Sequence, residues 1–219
     1  VVPPLPIDPR VPEILTRGYW SGGDRSVPNL YRPFTMVSLA ANRTFLGEGA
    51  IGYRLVNLIL HALVTLLVFA LGRRLASAYP GASRAVRPAL LAALLFAVHP
   101  VHTEVMGLVV GRAELLAAAG GLGCVLAFLL GREREGRPGA VGPLVLYALA
   151  VACFVAGFLS KENAVVAPLL AVMAERVGER RDFPRRFALL SGAALVAVLG
   201  VRYAVIGSLD SREFVSSVD

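Results

Sequence analysis

The residues best suited to chemistry lie between His99 and Glu114, in a short polar stretch between two long apolar runs. The sequence reads His99-Pro-Val-His-Thr-Glu104, then six mostly apolar residues, then Gly111-Arg-Ala-Glu114. Imidazoles and carboxylates can transfer protons as general acids or bases, and a guanidinium can bind a phosphate through its planar fork. Charged groups are costly beside hydrocarbon, so their concentration here favours a functional interpretation.

Two interpretations of the histidines stay open. Imidazole and carboxylate ligands at the spacing of His99, His102 and Glu104 suit zinc, but Pro100 interrupts a helix between the histidines. We therefore favour His102 and Glu104 as hydrogen-bonding or acid/base groups at a phosphate or acceptor site, with no metal. The structural alternative is that His99 and Pro100 end a helix, with His99 capping its carbonyls.

Further cations could bind a phosphate. Arg112 and Glu114 are two residues apart and would not face each other on a helix. Arg112 could hold a phosphate or extend its guanidinium to the membrane interface. Lys161 is the only lysine beside 21 arginines, which suggests that an ammonium is required there. A local ion pair between Lys161 and Glu162 is the alternative.

Two aromatic or imidazole positions have ordinary alternatives. Tyr31 is typical of the aromatic belt at a membrane surface, so a site near Tyr31-Arg32 would depend on the arginine. His61 lies inside an apolar run, and packing with a hydrogen bond to a neighbouring helix is favoured over catalysis.

The composition indicates an integral membrane protein. The 219 residues are 56% hydrophobic and only 17% charged, which is too apolar for a soluble domain. The net charge is +7, but most of the arginines lie at the ends of apolar runs instead of forming a nucleic-acid patch. Cys124 and Cys153 fall inside apolar runs and are interpreted as core residues, with no disulfide or metal role.

The hydropathy pattern predicts an all-α polytopic fold with about six transmembrane helices and one interfacial helix. The expected spans cover residues 54–71, 88–98, 114–130, 143–159, 164–174 (tilted or broken near Pro168) and 187–206. We divide the chain into an external loop with an interfacial helix at 33–46 (1–50), a transmembrane domain (51–206) and the start of an external loop or of a following domain (207–219).

The arginines predict the orientation of these spans. The loops at 73–87, 131–138 and 175–186 hold four, three and five arginines, and alternation places all three on one side. The positive-inside rule makes that side cytoplasmic. The His99–Glu114 stretch, Lys161 and Arg32 then share the opposite, external face.

Five motifs, in this order, resemble one known family. They are Tyr31-Arg-Pro-Phe-Thr, Leu55-Val-Asn-Leu-Ile-Leu-His61, His99-Pro-Val-His-Thr-Glu104, Gly111-Arg-Ala-Glu-Leu115 and Ser160-Lys-Glu-Asn163. Together they are similar to the membrane half of the transmembrane and tetratricopeptide-repeat protein O-mannosyltransferases, including their bacterial relatives. The resemblance covers roughly residues 10–205.

This resemblance implies a GT-C glycosyltransferase with its active site on the periplasmic or luminal face of the bacterial inner membrane or endoplasmic reticulum. It implies transfer of a sugar, mannose in the family, from a polyprenyl-phosphate donor to Ser or Thr hydroxyls of an acceptor protein, without a metal or other cofactor. Arg32, Arg112 and Lys161 would bind the donor phosphate. Glu104 and His102 would serve catalysis, and Tyr31, His99, Glu114 and Glu162 would line the site.

The family's acidic motif is expected upstream of Val1, and its tetratricopeptide repeats downstream of residue 219. Asp8 is the nearest acid and a candidate catalytic base, and the chain alone is expected to be inactive. Two other functions stay open. A polyprenyl-lipid transporter would carry polar groups through the midplane, where only Asn57 and His61 lie. A non-catalytic anchor for repeats would tolerate loss of Glu104 and Lys161.

Overall fold

The all-α prediction is confirmed. A computed structural model describes residues 30–76, 86–135, 142–177 and 184–206, and these ranges form helices without a strand. Asp8 and the segment from residue 207 lie outside the described residues, so their predicted roles stay predictions. The helices are α1 (Pro33–Leu46), α2 (Ala50–Ala76), α3 (Val86–Val98), α4 (His102–Gly107), α5 (Arg112–Arg134), α6 (Pro143–Phe158), α7 (Ala167–Val177) and α8 (Arg185–Ile206).

Helix length and composition identify an integral membrane protein. The segments Ala50–Ala76, Val109–Arg134 and Arg185–Val205 are long and apolar enough to cross a membrane, for which about 20 helical residues are needed. Helices α3 and α6 are apolar but shorter. Helices occupy all six predicted positions, but only three of those described have the length of a span, so the number of spans stays a prediction.

The predicted interruption near Pro168 is present. A 3₁₀ segment, Glu162–Val166, precedes α7, which begins at Ala167. Proline is tolerated in the first turn of a helix because its missing N–H would have no partner there. Lys161 directly precedes this 3₁₀ segment and Glu162 is its first residue, so both lie in the connection between α6 and α7.

Helices α5 and α6 form the centre of the described structure because glycines let their backbones meet. A Cβ added to Gly120 would lie 2.6 Å from both the Cα of Gly157 and the carbonyl oxygen of Cys153. Small residues permit this close helix packing in membranes. Cys124 is buried and Cys153 half-buried in the surrounding core, as the interpretation of both as core residues predicts.

The two ends of α5 carry different polar groups. Arg132 lies buried near the C-terminal end of α5 and forms an ion pair with buried Glu175. It forms a second ion pair, at 2.6 Å, with Glu135. Tyr147 donates its hydroxyl hydrogen to the same Glu135 at 2.5 Å. Arg132 therefore joins helices in addition to any effect on topology. The candidate site lies at the other end of α5.

Candidate functional site

Arg112 is a fully buried link between three helices. Its Nε donates to Asn57 Oδ1 at 3.0 Å, and its Nη1 donates to the Ser38 carbonyl at 3.2 Å. Its Nη2 donates to Asn42 Oδ1 at 2.8 Å and to the Tyr53 carbonyl at 3.0 Å. The side chain is 0% exposed. The first residue of α5 is thus joined to α1 and α2.

These contacts do not favour the phosphate-binding role predicted for Arg112. A phosphate could reach the guanidinium only if buried hydrogen bonds were broken, and each orphaned partner would cost about 1–3 kcal/mol. The alternative of a guanidinium extending to the membrane interface is also at odds with complete burial. The geometry favours a positioning role for Arg112.

Asn57, a partner of Arg112, also contacts the segment around α4 that carries the acid/base candidates His102 and Glu104. Its Nδ2 donates to the carbonyl oxygens of Leu108 at 3.0 Å and Val105 at 3.4 Å. The backbone of Val105 also presses against Gly111, where an added Cβ would overlap the Val105 carbonyl. Glycine is therefore required at the start of the Gly111-Arg-Ala-Glu motif.

An aromatic and imidazole cluster holds His102. Its ring centroid lies 4.3 Å from Phe96 and 5.0 Å from His61. The His61 Nε2 lies 3.1 Å from the carbonyl oxygen of Ala97 on α3, as the packing interpretation of His61 predicts. Burial, then the neighbouring His61 and His99, hold the pKa of His102 below its ordinary value, so the ring is neutral near pH 7.

His99 lies at the exposed edge of this cluster, with its ring centroid 6.0 Å from His102. Its Nδ1 accepts a hydrogen bond from the backbone N–H of Val101 at 3.2 Å. The structural alternative is consistent with these contacts: α3 ends at Val98, the backbone N–H of His99 donates to the Phe96 carbonyl of α3 at 3.4 Å, and the His99 side chain caps an N–H of the following turn. His99 does not line the cavity described next.

A cavity of about 720 Å³ joins the acid/base candidates to an apolar wall. His102, Glu104, Glu114 and Asn163 supply its polar side chains. Glu104 is exposed there and has no ion pair or side-chain hydrogen bond among the described residues. The apolar wall comes from α2, α5 and α7 and includes Val64, Val68, Ala118, Gly121, Val125 and Leu170.

Charged residues from four parts of the chain meet beside this cavity. Lys161 forms an ion pair with the cavity residue Glu114. Arg32 and Arg202 share the carboxylate of Glu162, with N–O distances of 3.0 Å and 3.2 Å. We call Arg32, Glu114, Lys161, Glu162 and Arg202 the charged cluster.

The N-terminal end of α1 positions Arg32 in the charged cluster. The N–H of Phe34 donates to the carbonyl oxygen of Leu159 at 3.3 Å. The hydroxyl of buried Thr35 donates to the carbonyl of Ser160 at 3.2 Å. These bonds attach α1 to the end of α6 and so bring the motifs Tyr31-Arg-Pro-Phe-Thr and Ser160-Lys-Glu-Asn together.

Burial and charge set the protonation of the cluster. Burial tends to raise the pKa of Glu162, but a backbone hydrogen bond and the charges of Arg32 and Arg202 outweigh it, so the pKa is lowered. Burial and the charge of Arg32 lower the pKa of Lys161, with Glu162 opposing them. Cations crowded in this way make an added anion favourable.

Most of the predicted site residues that the structure describes come together. Glu104, His102 and Glu114 line the cavity, while Arg32, Lys161 and Glu162 adjoin it. Tyr31 is buried at the start of α1, where burial raises its pKa. Arg202 was not predicted, although a lone arginine near the end of an apolar run was the signal available.

No group of three or more residues able to hold a metal occurs among residues 30–76, 86–135, 142–177 and 184–206. Within the described site, the groups available to an anion are the arginine and lysine side chains. The acid/base interpretation of His102 and Glu104 without a metal stays a prediction.

Several curated proteins are similar to this chain. A Drosophila melanogaster protein named Protein O-mannosyl-transferase Tmtc3 is 35% identical over 158 residues, which are 66% of this chain and 17% of that protein. Human Protein O-mannosyl-transferase TMTC4 is 43% identical over 108 residues, which are 46% of this chain and 14% of that protein. Mouse Protein O-mannosyl-transferase TMTC1 is 37% identical over 118 residues, which are 53% of this chain and 12% of that protein.

This chain is similar to a part of the TMTC protein O-mannosyl-transferases. The resemblance inferred from the motifs is thereby confirmed. The chain spans about one sixth or less of the length of these TMTC relatives. No protein-family model and no solved structure matches it.

Proposed function

We propose that the protein containing this chain is a GT-C-type glycosyltransferase. It transfers a sugar, mannose by analogy with its TMTC relatives, from a polyprenyl-phosphate donor to Ser or Thr hydroxyls of an acceptor protein. The observation that carries the proposal is the cavity, because it combines ionisable groups with an apolar wall inside a membrane protein.

The lining of the cavity suits a lipid-linked sugar better than a water-soluble one. Val64, Val68, Val125 and Leu170 offer an apolar surface to an isoprenoid chain, and burial of such a chain contributes about 25 cal/mol per Å². A nucleotide sugar would gain nothing from this wall. The polar side chains would then face the phosphate and the sugar.

Glu104 is the proposed base of the described site. It lies at the cavity, exposed and without a described ion-pair partner, so its carboxylate is free to accept a proton. The acceptor hydroxyl oxygen would bond to the anomeric carbon while the bond from that carbon to the phosphate oxygen breaks. Glu104 would take the hydroxyl proton, and polyprenyl phosphate would leave.

His102 would orient the reactants beside Glu104. Its lowered pKa keeps the ring neutral, so one nitrogen can donate and the other accept a hydrogen bond. Lys161 and Arg32 would stabilise the charge that develops on the departing phosphate. Their present carboxylate partners, Glu114 and Glu162, hold them at the cavity edge.

The predicted orientation supports an external active face. The charged cluster lies at the N-terminal end of α5, opposite the end that carries Arg132 and Arg134. Arginine-rich loops favour the cytoplasmic side, so the cavity would open to the periplasm or the lumen of the endoplasmic reticulum. The sugar there would come from a lipid carrier, since nucleotide sugars are made on the other side.

The donor class is tested with the full-length protein in membranes. Labelled mannose is offered as polyprenyl-phosphate mannose or as a nucleotide-linked mannose, with a Ser/Thr-containing acceptor protein and with detergent-treated membranes lacking the protein as control. We expect label on the acceptor from the lipid donor alone. Equal transfer from the nucleotide sugar in purified protein would overturn the proposed donor class.

A further inference from the structure

Arg202 is a buried cation in an otherwise apolar part of α8. It is the only charged residue between Phe187 and Ile206, and it is 5% exposed. An arginine in such a place is costly unless its charge and its five N–H donors find partners. The position therefore requires an explanation beyond solubility or helix formation.

Within the described residues, only some of the N–H donors of Arg202 have a hydrogen-bond partner. Its Nη1 donates to Glu162 Oε1 at 3.2 Å, while its buried Nε has no hydrogen-bond partner in the described structure. The other carboxylate oxygen of Glu162, Oε2, accepts a hydrogen bond from Arg32. A purely structural ion pair would be expected to use the planar fork on both carboxylate oxygens.

The unsatisfied side of Arg202 belongs to a cluster that adjoins the cavity. Glu162, its partner, precedes Asn163, which lines the cavity. Lys161, on the other side of Glu162 in the chain, pairs with the cavity residue Glu114. The guanidinium is thus attached to the segment at which a phosphate would be bound.

We propose that Arg202 is a further phosphate-binding residue, which contacts the phosphate of the lipid-linked donor together with Lys161 and Arg32. This inference rests on the proposed function. The donor is a phosphodiester with one negative charge, and the departing polyprenyl phosphate gains another as the bond to the sugar breaks. A fixed guanidinium therefore stabilises the transition state more than the bound donor.

The test compares Arg202→Gln and Arg202→Lys with wild type in the full-length protein in membranes. Arg186→Gln is the matched control, because Arg186 lies exposed at the start of the same helix. We expect Arg202→Gln to raise the donor KM and to lower kcat/KM by about 10- to 100-fold, the loss expected for a charged hydrogen bond. Arg202→Lys should recover part of this loss, and the acceptor KM should not change.

A second measurement separates phosphate binding from structure. Polyprenyl phosphate and uncharged polyprenol are titrated as inhibitors, or as ligands by native mass spectrometry. Arg202→Gln should weaken the binding of polyprenyl phosphate about 10-fold or more and leave the binding of polyprenol unchanged. If Arg202→Gln does not insert, the same comparison is made with Arg202→Lys, which keeps the charge and loses the fork.

The outcomes distinguish this inference from the proposed function. Absence of transfer from the lipid donor by the wild type would contradict the proposed function. The inference itself is overturned if the Arg202 variants bind polyprenyl phosphate as wild type does. It is also overturned if polyprenol binding weakens equally, because Arg202 would then act only on the fold.

Discussion

Arg112 and Asn57 form a buried hydrogen bond of 3.0 Å that joins the start of α5 to the N-terminal third of α2. Asn57 in turn holds the carbonyls of Val105 and Leu108. The acid/base candidates His102 and Glu104 therefore depend for their placement on residues about 45 positions earlier in the chain. This relationship separates the positioning residues from those that could meet a substrate.

Replacement of Arg112 tests its positioning role. Arg112→Lys removes the fork that contacts α1 and α2, leaving buried acceptors that each cost about 1–3 kcal/mol. We expect a clear fall in Tm in detergent, measured by intrinsic fluorescence, with donor KM unchanged in molecules that remain folded. A raised donor KM with an unchanged Tm would instead assign Arg112 to the phosphate.

Gly111 should tolerate no side chain. Gly111→Ala places a Cβ on the Val105 carbonyl, which must displace α4 and with it His102 and Glu104. We expect lower transfer together with a lower Tm. Gly107→Ala is the matched control, because no atom lies within 4 Å of a Cβ at that position. Similar behaviour of the two variants would contradict the close contact.

The stability supplied by Glu162 should depend on pH. Its folded-state pKa is below the ordinary value of 4.5, so its contribution is present above that pH and is lost as pH falls through the lowered value. The difference in Tm between wild type and Glu162→Gln should therefore shrink in acid, below about pH 4.5. A difference that stays constant from pH 7 to acid would contradict the Arg32–Glu162–Arg202 contact.

The apolar wall should set which lipid tails are accepted. Ala118→Phe would fill part of the cavity beside Gly121, so KM for a long-tailed polyprenyl-phosphate sugar should rise while a short-tailed analogue is used as before. Val196→Phe, on an exposed surface of α8, is the control. Equal changes for long and short tails would show that the tail lies elsewhere.

Sequence patterns predicted the helices, because hydropathy is a property of neighbouring residues, and local motifs supplied the candidate site residues. They could not predict the environment of Arg112, whose partners lie 55 to 74 positions away in sequence. The same motif that suggested a phosphate ligand is used to join helices. Burial decides between these roles, and burial is set by tertiary packing.

The charged cluster shows the same limit. The sequence indicates Lys161 and Glu162 as candidates, but their partners Glu114, Arg32 and Arg202 come from three other helices or segments. A local Lys161–Glu162 pair was the alternative interpretation, and the structure instead pairs each residue with a distant one. Arg202 is isolated in an apolar run, which indicates that it has a specific role. Only the structure shows that its guanidinium contacts Glu162, the carboxylate that Arg32 also contacts.

The most direct test of the account is the transfer activity of Glu104→Gln in the full-length protein. The amide keeps the size of the side chain but cannot accept the hydroxyl proton, so kcat should fall by about 100-fold or more with little change in Tm or donor KM. Glu133→Gln, at the opposite end of α5, should transfer like wild type. If Glu104→Gln also transfers like wild type, the cavity at His102 and Glu104 is not the catalytic site.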